Sequence, residues 1–361
     1  MKVLCVIPSL GSGGAERQLV SLAVLFKQKG IDVEFLIYHK DFFYKYILDE
    51  NSIKINLIST NNNFDRVLKV RKFIRDSKSD AVISFLETPS FLACISTVGG
   101  KKWKLITTEL SSKKSTFESL KGKLFCYFRR YSDLIVCNSY NSMTMWENYH
   151  PDYFDKLKVI YNPVILPVIT STYVPKKNNR LNLLVAASYQ YLKNPICLIE
   201  ALSLLDEDIR KKVIVNWYGR KEITAGDTKA YDEAMSLIDK YNLHDVIKLN
   251  GPTTDIANKM NEADIVGLFS KLEGLPNAIC EAMMIGKPII MSKVSDYINL
   301  VDEENGFLCD WDNPNSIKIA LEQAIFLNDK ELIKMGLKSK IKADKLFSSE
   351  VIVNQWISFL S

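Results

Sequence analysis

The chain has 361 residues, of which 47% are hydrophobic and 25% are charged, and its formal net charge is +5. This length predicts two domains, each with a hydrophobic core of its own, and the composition is typical of a soluble globular protein. The modest positive charge gives no reason to expect nucleic acid as a partner.

Cysteines, histidines and apolar runs argue against several further classes of protein. The seven cysteines are scattered singly, which favours reduced thiols in the core of a cytoplasmic protein. The three histidines, His39, His150 and His244, are far apart, so a histidine-based zinc site is not expected. No apolar run is long enough to span a bilayer, and the first predicted strand begins at Lys2, so we expect no signal peptide before it.

The first half of the chain alternates predicted strands with predicted helices. The strands are Lys2–Pro8, Asp32–Tyr38, Lys54–Leu57, Ala81–Phe85, Lys104–Thr107, Leu134–Cys137 and Leu157–Ile160. The helices are Leu19–Gly30, Arg66–Asp76, Ser90–Val98, Phe117–Tyr131 and Tyr140–Asn148. This alternation implies a doubly wound parallel sheet, whose ligands bind at the carboxyl ends of the strands. Glu87, Glu109 and Asn138 are predicted in loops at that edge.

A glycine-rich turn joins the first predicted strand to the first helix. Its sequence, Gly11-Ser-Gly13-Gly14-Ala-Glu16-Arg, lets backbone N–H groups approach a phosphate or a sugar closely. It is not the G-x-G-x-x-G pattern, and the next strand ends without an acid placed for a ribose. A dinucleotide enzyme is therefore disfavoured, and a tight turn without a ligand remains an alternative.

Basic and aromatic residues interleave in the segment that ends with the predicted helix Phe117–Tyr131. A helix of this kind can lie on an anionic bilayer surface. The alternative is a core-facing helix with a solvated basic face, and the sequence leaves both open. The basic residues are Lys113, Lys114, Lys121, Lys123, Arg129 and Arg130.

The second half of the chain repeats the alternation after a polar, proline-containing linker that begins near Tyr161. Its predicted strands are Leu181–Ala187, Val213–Tyr218, Ile247–Leu249, Ile265–Phe269 and Pro288–Met291. From Pro314 the chain is predicted to be helical, with a last helix at Ser349–Leu360. The predicted fold is thus α/β, with two Rossmann-like doubly wound domains over residues 1–165 and 166–345 and a terminal helix over 346–361.

Two glutamates stand near the start of one predicted helix. Glu273 lies in the turn after Ile265–Phe269, and Glu281 lies one to two turns into a helix predicted over Ala278–Ile285. Free N–H groups at a helix N-terminus suit a phosphate, and carboxylates accept hydrogen bonds from the hydroxyls of a ribose or a sugar. A nucleotide-sugar fits both, although Glu273 as a plain turn residue and Glu281 as an ordinary helix-start acid remain an alternative.

The string Glu273-Gly-Leu-Pro-Asn277, followed by Glu281 and by Gly286-Lys-Pro288, resembles the E-x7-E segment of glycosyltransferase family 4. The resemblance covers nearly the whole chain. Gly13-Gly14-Ala-Glu16 resembles the first loop of that family, and the last helix of the family crosses back onto the N-terminal domain. Two positions differ, because Ser188 stands where the family has a diphosphate-binding arginine and Leu110 where many relatives have a histidine.

This resemblance implies a retaining transferase of two facing Rossmann-like domains, the GT-B fold. Its donor would be a nucleoside diphosphate sugar, with a lean to UDP, and its acceptor a hydroxyl of a lipid-linked glycan in bacterial surface polysaccharide biosynthesis. The family implies attack from the front face, with the leaving phosphate taking the acceptor's proton. Lys193 and Glu273 would be catalytic. The residues implied at the donor are Gly13, Gly14, Ser188, Lys193, Arg220, Pro252, Glu273, Gly274, Leu275, Pro276, Asn277 and Glu281.

On the acceptor side the implied residues are Glu16, Glu87, Glu109 and Asn138. No metal or other cofactor is expected, because the strings Asp206-Glu-Asp208 and Asp310-Trp-Asp312 are interpreted as solvated turns. The implied partners are an undecaprenyl-linked glycan and the inner face of the cytoplasmic membrane, on which the protein would be peripheral. A non-catalytic nucleotide-sugar-binding protein, a nucleotide-sugar epimerase and a phosphorylase of the same fold remain alternatives.

Overall fold

The computed structural model describes residues 1–110, 114–176, 179–222 and 226–360. The chain divides into two compact units, which we call unit 1 and unit 2. Unit 1 consists of Met1–Pro163 and Ser349–Ser361, and unit 2 of Val164–Ser348. The domain ends predicted after residues 165 and 345 lie two residues after and three residues before these limits.

Unit 1 is built on a sheet of seven parallel strands in the order β3-β2-β1-β4-β5-β6-β7. All seven strands were predicted, and β1, β2, β4, β5 and β6 are the short, largely buried runs expected of a parallel sheet covered on both faces. They are β1 (Lys2–Val6), β2 (Asp32–Ile37), β3 (Lys54–Leu57), β4 (Ala81–Ser84), β5 (Lys104–Glu109), β6 (Leu134–Cys137) and β7 (Leu157–Val159).

The helices of unit 1 connect successive strands. They are α1 (Gly14–Gln28), α2 (Lys45–Glu50), α3 (Asn63–Asp76), α4 (Glu87–Ser96), α5 (Ser115–Glu118), α6 (Leu120–Phe128) and α7 (Tyr140–Tyr149), with 3₁₀ turns at Arg129–Tyr131 and Pro151–Lys156.

The single helix predicted over Phe117–Tyr131 is wrong, because the chain breaks there into α5, α6 and a 3₁₀ turn. The break is at Ser119, whose backbone is extended at φ −70° and ψ 150°. The Ser119 hydroxyl accepts a hydrogen bond from the N–H of Gly122 at 3.0 Å and so caps α6. A serine at this position offers the backbone a cap in place of a continued helix.

Unit 2 is built on six parallel strands in the order β10-β9-β8-β11-β12-β13. The strands are β8 (Leu181–Ala186), β9 (Val213–Tyr218), β10 (Ile247–Asn250), β11 (Ile265–Leu268), β12 (Ile289–Ser292) and β13 (Gly306–Cys309). The doubly wound α/β prediction is confirmed in both units. Strand β13 was not among the predicted strands, and its first residue, Gly306, pairs with Ile289. A Cβ at Gly306 would overlap the Ile289 carbonyl, so this pairing needs glycine.

The helices of unit 2 are α8 (Pro195–Ser203), α9 (Glu207–Arg210), α10 (Lys229–Lys240), α11 (Ile256–Glu262), α12 (Asn277–Ile285), α13 (Tyr297–Leu300), α14 (Pro314–Phe326) and α15 (Asp329–Phe347). Helices α12 and α15 come into close contact through two glycines. A Cβ at Gly336 on α15 would overlap the carbonyl oxygen of Gly286, which ends α12 in the left-handed conformation at φ +89°. The C-terminal end of α12 is therefore held against α15 at a distance that only glycine permits.

The segment before β8 is attached to unit 2 by side chains. The Tyr173 hydroxyl and the Lys176 N–H both donate to Asp264 Oδ1, at 3.0 and 2.8 Å. Lys287 Nζ lies 3.4 Å from the centroid of the Tyr173 ring and donates to the Asn261 carbonyl at 2.5 Å. Burial of this lysine lowers its pKa to about 8.

The last helix, α16 (Ser349–Leu360), packs in unit 1. Trp356 is 4% exposed, and its ring lies 6.4 Å from the ring of Phe85, between their centroids. Lys29 on α1 forms an ion pair with Glu350 at 2.7 Å. The apolar residues of this helix account for its place, because Ile352, Val353 and Trp356 are all buried.

Candidate active site

The loops that follow β8 and β11 lie side by side in unit 2. These two strands are paired neighbours, and the strand order reverses between them, with β9 and β10 on one side and β12 and β13 on the other. Ligands of open parallel sheets bind in the crevice at the carboxyl ends of the strands at such a reversal. The two loops contain the residues that the sequence singled out at the donor.

Three hydrogen bonds join the loop after β8 to the loop after β11. The N–H of Lys271 donates to the Leu192 carbonyl at 2.8 Å, and the Asn194 side chain donates to the Phe269 carbonyl at 3.1 Å. The third bond runs from Lys193 Nζ to Glu273 Oε1 at 2.6 Å. Asn194 has a positive φ of 64°, which asparagine tolerates better than most residues. The loops are thus fixed to each other by backbone and side-chain groups.

Lys193 and Glu273, the two predicted catalytic residues, form an ion pair. Their side chains are 23% and 11% exposed, so the pair is largely shielded from water. Glu273 Oε1 also accepts a hydrogen bond from the Ser270 hydroxyl at 2.6 Å. Within the described residues, Glu273 is the one hydrogen-bond acceptor of Lys193 Nζ, which leaves two of its three N–H donors for a ligand. Ser270 was not predicted as a site residue, although it stands only three residues before Glu273.

The N-terminus of α12 opens beside this ion pair. Pro276 is the residue just before the helix. In the described part of the chain, the N–H groups of Asn277 and Ala278 have no hydrogen-bond acceptor, and they carry the partial positive charge of a helix start. Gly274 is fixed by the Ser295 hydroxyl, which donates to its carbonyl. Glu281 lies one turn further on and is half-buried.

Leu275 is buried, and three other predicted donor residues, Ser188, Arg220 and Pro252, line an open recess beside the ends of β8, β9 and β10. The space of this recess, with the solvent at its mouth, amounts to about 890 Å³. Gly219 also lines it, and a Cβ at this residue would overlap the Ala187 carbonyl.

In unit 1 the glycine-rich turn ends at the start of α1. Gly13 precedes the helix and Gly14 is its first residue. The carboxylate of Glu16 folds back so closely that a Cβ at Gly13 would overlap it. An acid in the first turn also suits the partial positive charge of the helix N-terminus, so the placement of Glu16 has a structural explanation. Its acceptor-side role stays a prediction.

The other acceptor-side residues differ from the loop positions predicted for them. Glu87 is the first residue of α4 and accepts a hydrogen bond from the Thr116 hydroxyl at 3.0 Å. Glu109 is the last residue of β5, is 3% exposed and accepts a hydrogen bond from Trp146 Nε1 at 3.3 Å. Asn138 does follow β6, and it is 6% exposed. The loop assignments of Glu87 and Glu109 are therefore wrong, and a role of any of these residues toward an acceptor stays a prediction.

No group of three or more His, Cys, Asp or Glu side chains that could hold a metal occurs among the described residues. In the two Asp-x-Asp strings, Asp206 lies at the start of the short helix α9, and Asp310 pairs with Lys293 at 3.0 Å. Neither string lies in the loops after β8 or β11. That transfer needs no metal stays a prediction.

The basic and aromatic segment exposes an apolar stripe. Leu120, Leu124, Tyr127 and Tyr131 follow the spacing of one helical face, and the exposed fraction of Leu120 is 88%. The expectation that Arg129 belongs to the basic face is wrong, because it is 3% exposed and donates to the Thr108 carbonyl at 3.0 Å. The exposed basic residues beside the stripe are Lys114, Lys121, Lys123 and Arg130, and Lys113 lies outside the described residues. No helix in the described part of the chain combines the length and hydrophobicity needed to cross a bilayer.

Comparisons with known proteins find relatives that match this chain from end to end. One relative is the Campylobacter jejuni protein named GalNAc-α-(1→4)-GalNAc-α-(1→3)-diNAcBac-PP-undecaprenol α-1,4-N-acetyl-D-galactosaminyltransferase. It is 25% identical over 379 residues, which cover 100% of this chain and 98% of that protein. An N-acetylgalactosamine-N,N′-diacetylbacillosaminyl-diphospho-undecaprenol 4-α-N-acetylgalactosaminyltransferase of the same organism is 24% identical, covering 98% of both chains.

A solved structure shows the same fold over the whole chain. Anabaena Alr3699/HepE in complex with UDP aligns with a TM-score of 0.85 at 19% identity, covering 100% of this chain and 99% of that chain. Residues 173–338, which contain both loops of the ion pair and all of α12, match the family described as Glycosyl transferases group 1. Residues 173–338 therefore resemble a glycosyl transferases group 1 domain, and the whole chain has the GT-B fold.

Proposed function

We propose that this protein transfers a sugar, with retention of anomeric configuration, from a UDP-sugar to a hydroxyl of an undecaprenyl-diphosphate-linked glycan. The observation that carries the proposal is the Lys193–Glu273 pair beside the open N-terminus of α12. A lysine with unused donors and unpaired helix amides suit a diphosphate, while a carboxylate next to them suits sugar hydroxyls. These groups meet at the edge of the sheet where such folds bind ligands.

Each of these groups has a role in the proposed reaction. The bond from the anomeric carbon to the diphosphate breaks, a bond from that carbon to the acceptor oxygen forms, and the acceptor's proton passes to the departing phosphate. Negative charge grows on the leaving diphosphate, where Lys193 and the amides of Asn277 and Ala278 stabilise it. Glu273 holds sugar hydroxyls, Glu281 holds the ribose, and the recess at Ser188 and its neighbours receives the base.

The named relatives support the choice of substrates. Both Campylobacter jejuni proteins are named as N-acetylgalactosaminyltransferases for undecaprenol-linked glycans, and each matches nearly the whole length of this chain. The HepE structure that shares the fold contains UDP. We therefore propose an N-acetylhexosamine or hexose as the transferred sugar and a bacterial surface polysaccharide as the product.

Incubation with UDP-GalNAc, UDP-GlcNAc, UDP-glucose or UDP-galactose tests the proposal directly. With an undecaprenyl-diphosphate-linked glycan, one donor should give a longer glycan by mass and a new α-linkage by NMR. Without an acceptor, slow hydrolysis of the same donor is expected, because the leaving group is stabilised whether or not an acceptor is present. A donor that binds but is neither transferred nor hydrolysed would favour the non-catalytic alternative.

The exposed stripe on α6 supports a second part of the proposal, that unit 1 docks on the inner face of the cytoplasmic membrane. Leu120, Leu124 and Tyr127 present apolar surface to solvent, which an ordinary solvated helix face would not do. Lys121, Lys123 and other cations flank it, as expected of a helix lying on anionic lipid. A lipid-linked acceptor would require such a location.

Liposome co-sedimentation tests the membrane proposal. Each basic residue near an anionic surface contributes about 1 kcal/mol, so changing Lys121, Lys123 and Arg130 to Glu should remove at least about 3 kcal/mol of binding free energy, or about a hundredfold in affinity. The matched control changes three exposed lysines elsewhere, Lys72, Lys229 and Lys330, to Glu. Equal loss in both triple variants would show that only net charge matters, and no loss in either would refute docking through α6.

A further inference from the structure

Unit 1 contains a small recess at the carboxyl ends of its central strands. Residues just after β4 and β6 meet α1 and α16 there, together with β5. Phe85, Leu110 and Trp356 form apolar walls, and Gln18, Thr108 and Asn138 contribute polar groups. Because all lining residues belong to unit 1, the recess is separate from the groups that we assigned to the donor diphosphate in unit 2.

The amide oxygens of two side chains in this recess lack hydrogen-bond partners within the described residues. Gln18 is 8% exposed and Asn138 is 6% exposed. Within the described residues, Gln18 Oε1 and Asn138 Oδ1 are buried and accept no hydrogen bond. Thr108 differs from them, because its hydroxyl already donates to the Ser84 carbonyl at 3.1 Å. The oxygens of Gln18 and Asn138 are thus two buried acceptors that a ligand could satisfy.

Burying an amide oxygen without a partner costs free energy, so a purely structural explanation for the pair is poor. The other buried residues of α1 are all apolar, which makes Gln18 an exception on its own helix face. Asn138 comes from a different strand and faces the same recess. Residues that violate the rules of stable packing are expected where a protein binds or reacts.

Size and chemistry limit what the recess can hold. Its enclosed part has room for about one water-sized group, and all of its lining residues are uncharged. An anion would therefore find no compensating cation. A hydroxyl suits both amides, because it donates and accepts and so can pair with either orientation of an amide group.

We propose that Gln18 and Asn138 bind one hydroxyl group of the glycan acceptor, not the hydroxyl that reacts. This inference rests on the proposed transferase function and adds a specificity-determining site to it. Without acceptor, a water molecule in the recess would bridge the amides. The acceptor hydroxyl replaces that water and reproduces its hydrogen bonds, so an acceptor that lacks this hydroxyl loses affinity.

The experiment combines enzyme variants with acceptor analogues. The probes are p-nitrophenyl α-N-acetylgalactosaminide and its monodeoxy analogues, assayed with the donor that the parent protein uses. The variants are Gln18→Leu, Gln18→Met and Asn138→Leu, and the matched controls are Gln28→Leu and Asn148→Leu, which change exposed residues outside the recess. Thermal unfolding and UDP affinity are measured for every variant.

We expect kcat/KM for the acceptor to fall about threefold to tenfold in each recess variant, the size of one neutral hydrogen bond. One deoxy analogue should show the same loss with the parent protein but no additional loss with the variants, because the missing partners are the same pair. UDP affinity should be unchanged. Tm should be unchanged or higher, since the variants remove unpaired buried amides.

Other results would overturn the inference. Parental kinetics in all recess variants, or a loss that appears only in the KM for the donor, would show that no acceptor hydroxyl binds here. A lower Tm that accounts for the lost activity would make the amides structural. If the parent protein transferred sugar to neither these probes nor the lipid-linked glycan, the proposed transferase function itself would be refuted. That outcome differs from an active enzyme whose recess variants behave like the parent, which would refute only this inference.

Discussion

The substitution Lys193→Ala tests the assignment of the diphosphate most directly. Alanine removes a cation whose Nζ lies 2.6 Å from Glu273 Oε1 and has two further donors available within the described structure. A hydrogen bond to a charged group contributes about 1.5–3 kcal/mol. Part of this loss should appear in the rate, because charge grows on the leaving group. We therefore expect kcat/KM to fall between about tenfold and about 150-fold.

The same substitution also perturbs the unliganded protein, so stability must be measured separately. Glu273 is 11% exposed and keeps the Ser270 hydroxyl as its remaining hydrogen-bond partner among the described residues. Losing a largely buried partner should lower the free energy of unfolding by about 1–3 kcal/mol. For a unit of this size, Tm falls by about 2–4 °C per kcal/mol. Kinetics measured well below Tm then report on the site alone.

Calorimetric titration with UDP separates the two possible roles of Lys193. If it binds the diphosphate, Lys193→Ala should weaken UDP binding about tenfold or more, and Glu273→Gln should change it little, because UDP has no sugar for Glu273 to hold. The double variant should then bind UDP as weakly as Lys193→Ala. Lys271→Ala is the matched control, since this neighbouring lysine lies over the Trp311 ring at 5.5 Å instead of contacting Glu273. Parental UDP affinity in the double variant would refute our placement of the diphosphate.

Three further predictions concern the need for a metal, the recess in unit 2 that Gly219 lines, and the pH dependence of stability. Transfer should continue in excess EDTA, and activity that is lost there and restored by Mn²⁺ or Mg²⁺ would contradict this. Gly219→Ala should lower both Tm and UDP affinity, because its Cβ would overlap the Ala187 carbonyl; calorimetry that finds neither change would refute the close approach. Burial lowers the pKa of Lys287 to about 8 from 10.5, so the unfolded chain binds more protons between these values and stability from this group should rise with pH there. Lys287→Met should remove that rise, on the order of 3 kcal/mol, and equal pH dependence of unfolding in parent and variant would contradict it.

Most strands of both sheets were predictable because they are short apolar runs that are largely buried. β13 was not, because it begins with Gly306 directly after Asn305, and an Asn-Gly pair is typical of a turn. The break at Ser119 was also missed, since a side-chain cap competed there with a continuous helical pattern. Local hydrogen bonds of this kind leave no periodic signal in the sequence.

The candidate site was predictable in its members but not in its arrangement. Lys193 and Glu273 were both placed at the donor, yet their ion pair joins residues 80 positions apart and depends on the pairing of β8 with β11. Gln18 was overlooked, although a glutamine among the apolar positions of the buried face of α1 can be recognised in the sequence. Arg129 was misplaced because composition shows that a segment is basic, whereas the direction of each side chain depends on where the helix ends.

The contact between Gly336 and Gly286 has a consequence for the precision of the donor site. Helix α12 has nine residues, so it is about 14 Å long and behaves as a stiff rod over that length. One end is pressed against α15 without any side chain between the backbones, and the other end presents the amides assigned to the diphosphate. The position of those amides is therefore set partly from the opposite end of the rod. Substitutions at residue 336 should therefore be limited by the position that the transfer reaction requires of those amides, although residue 336 lies at the opposite end of α12.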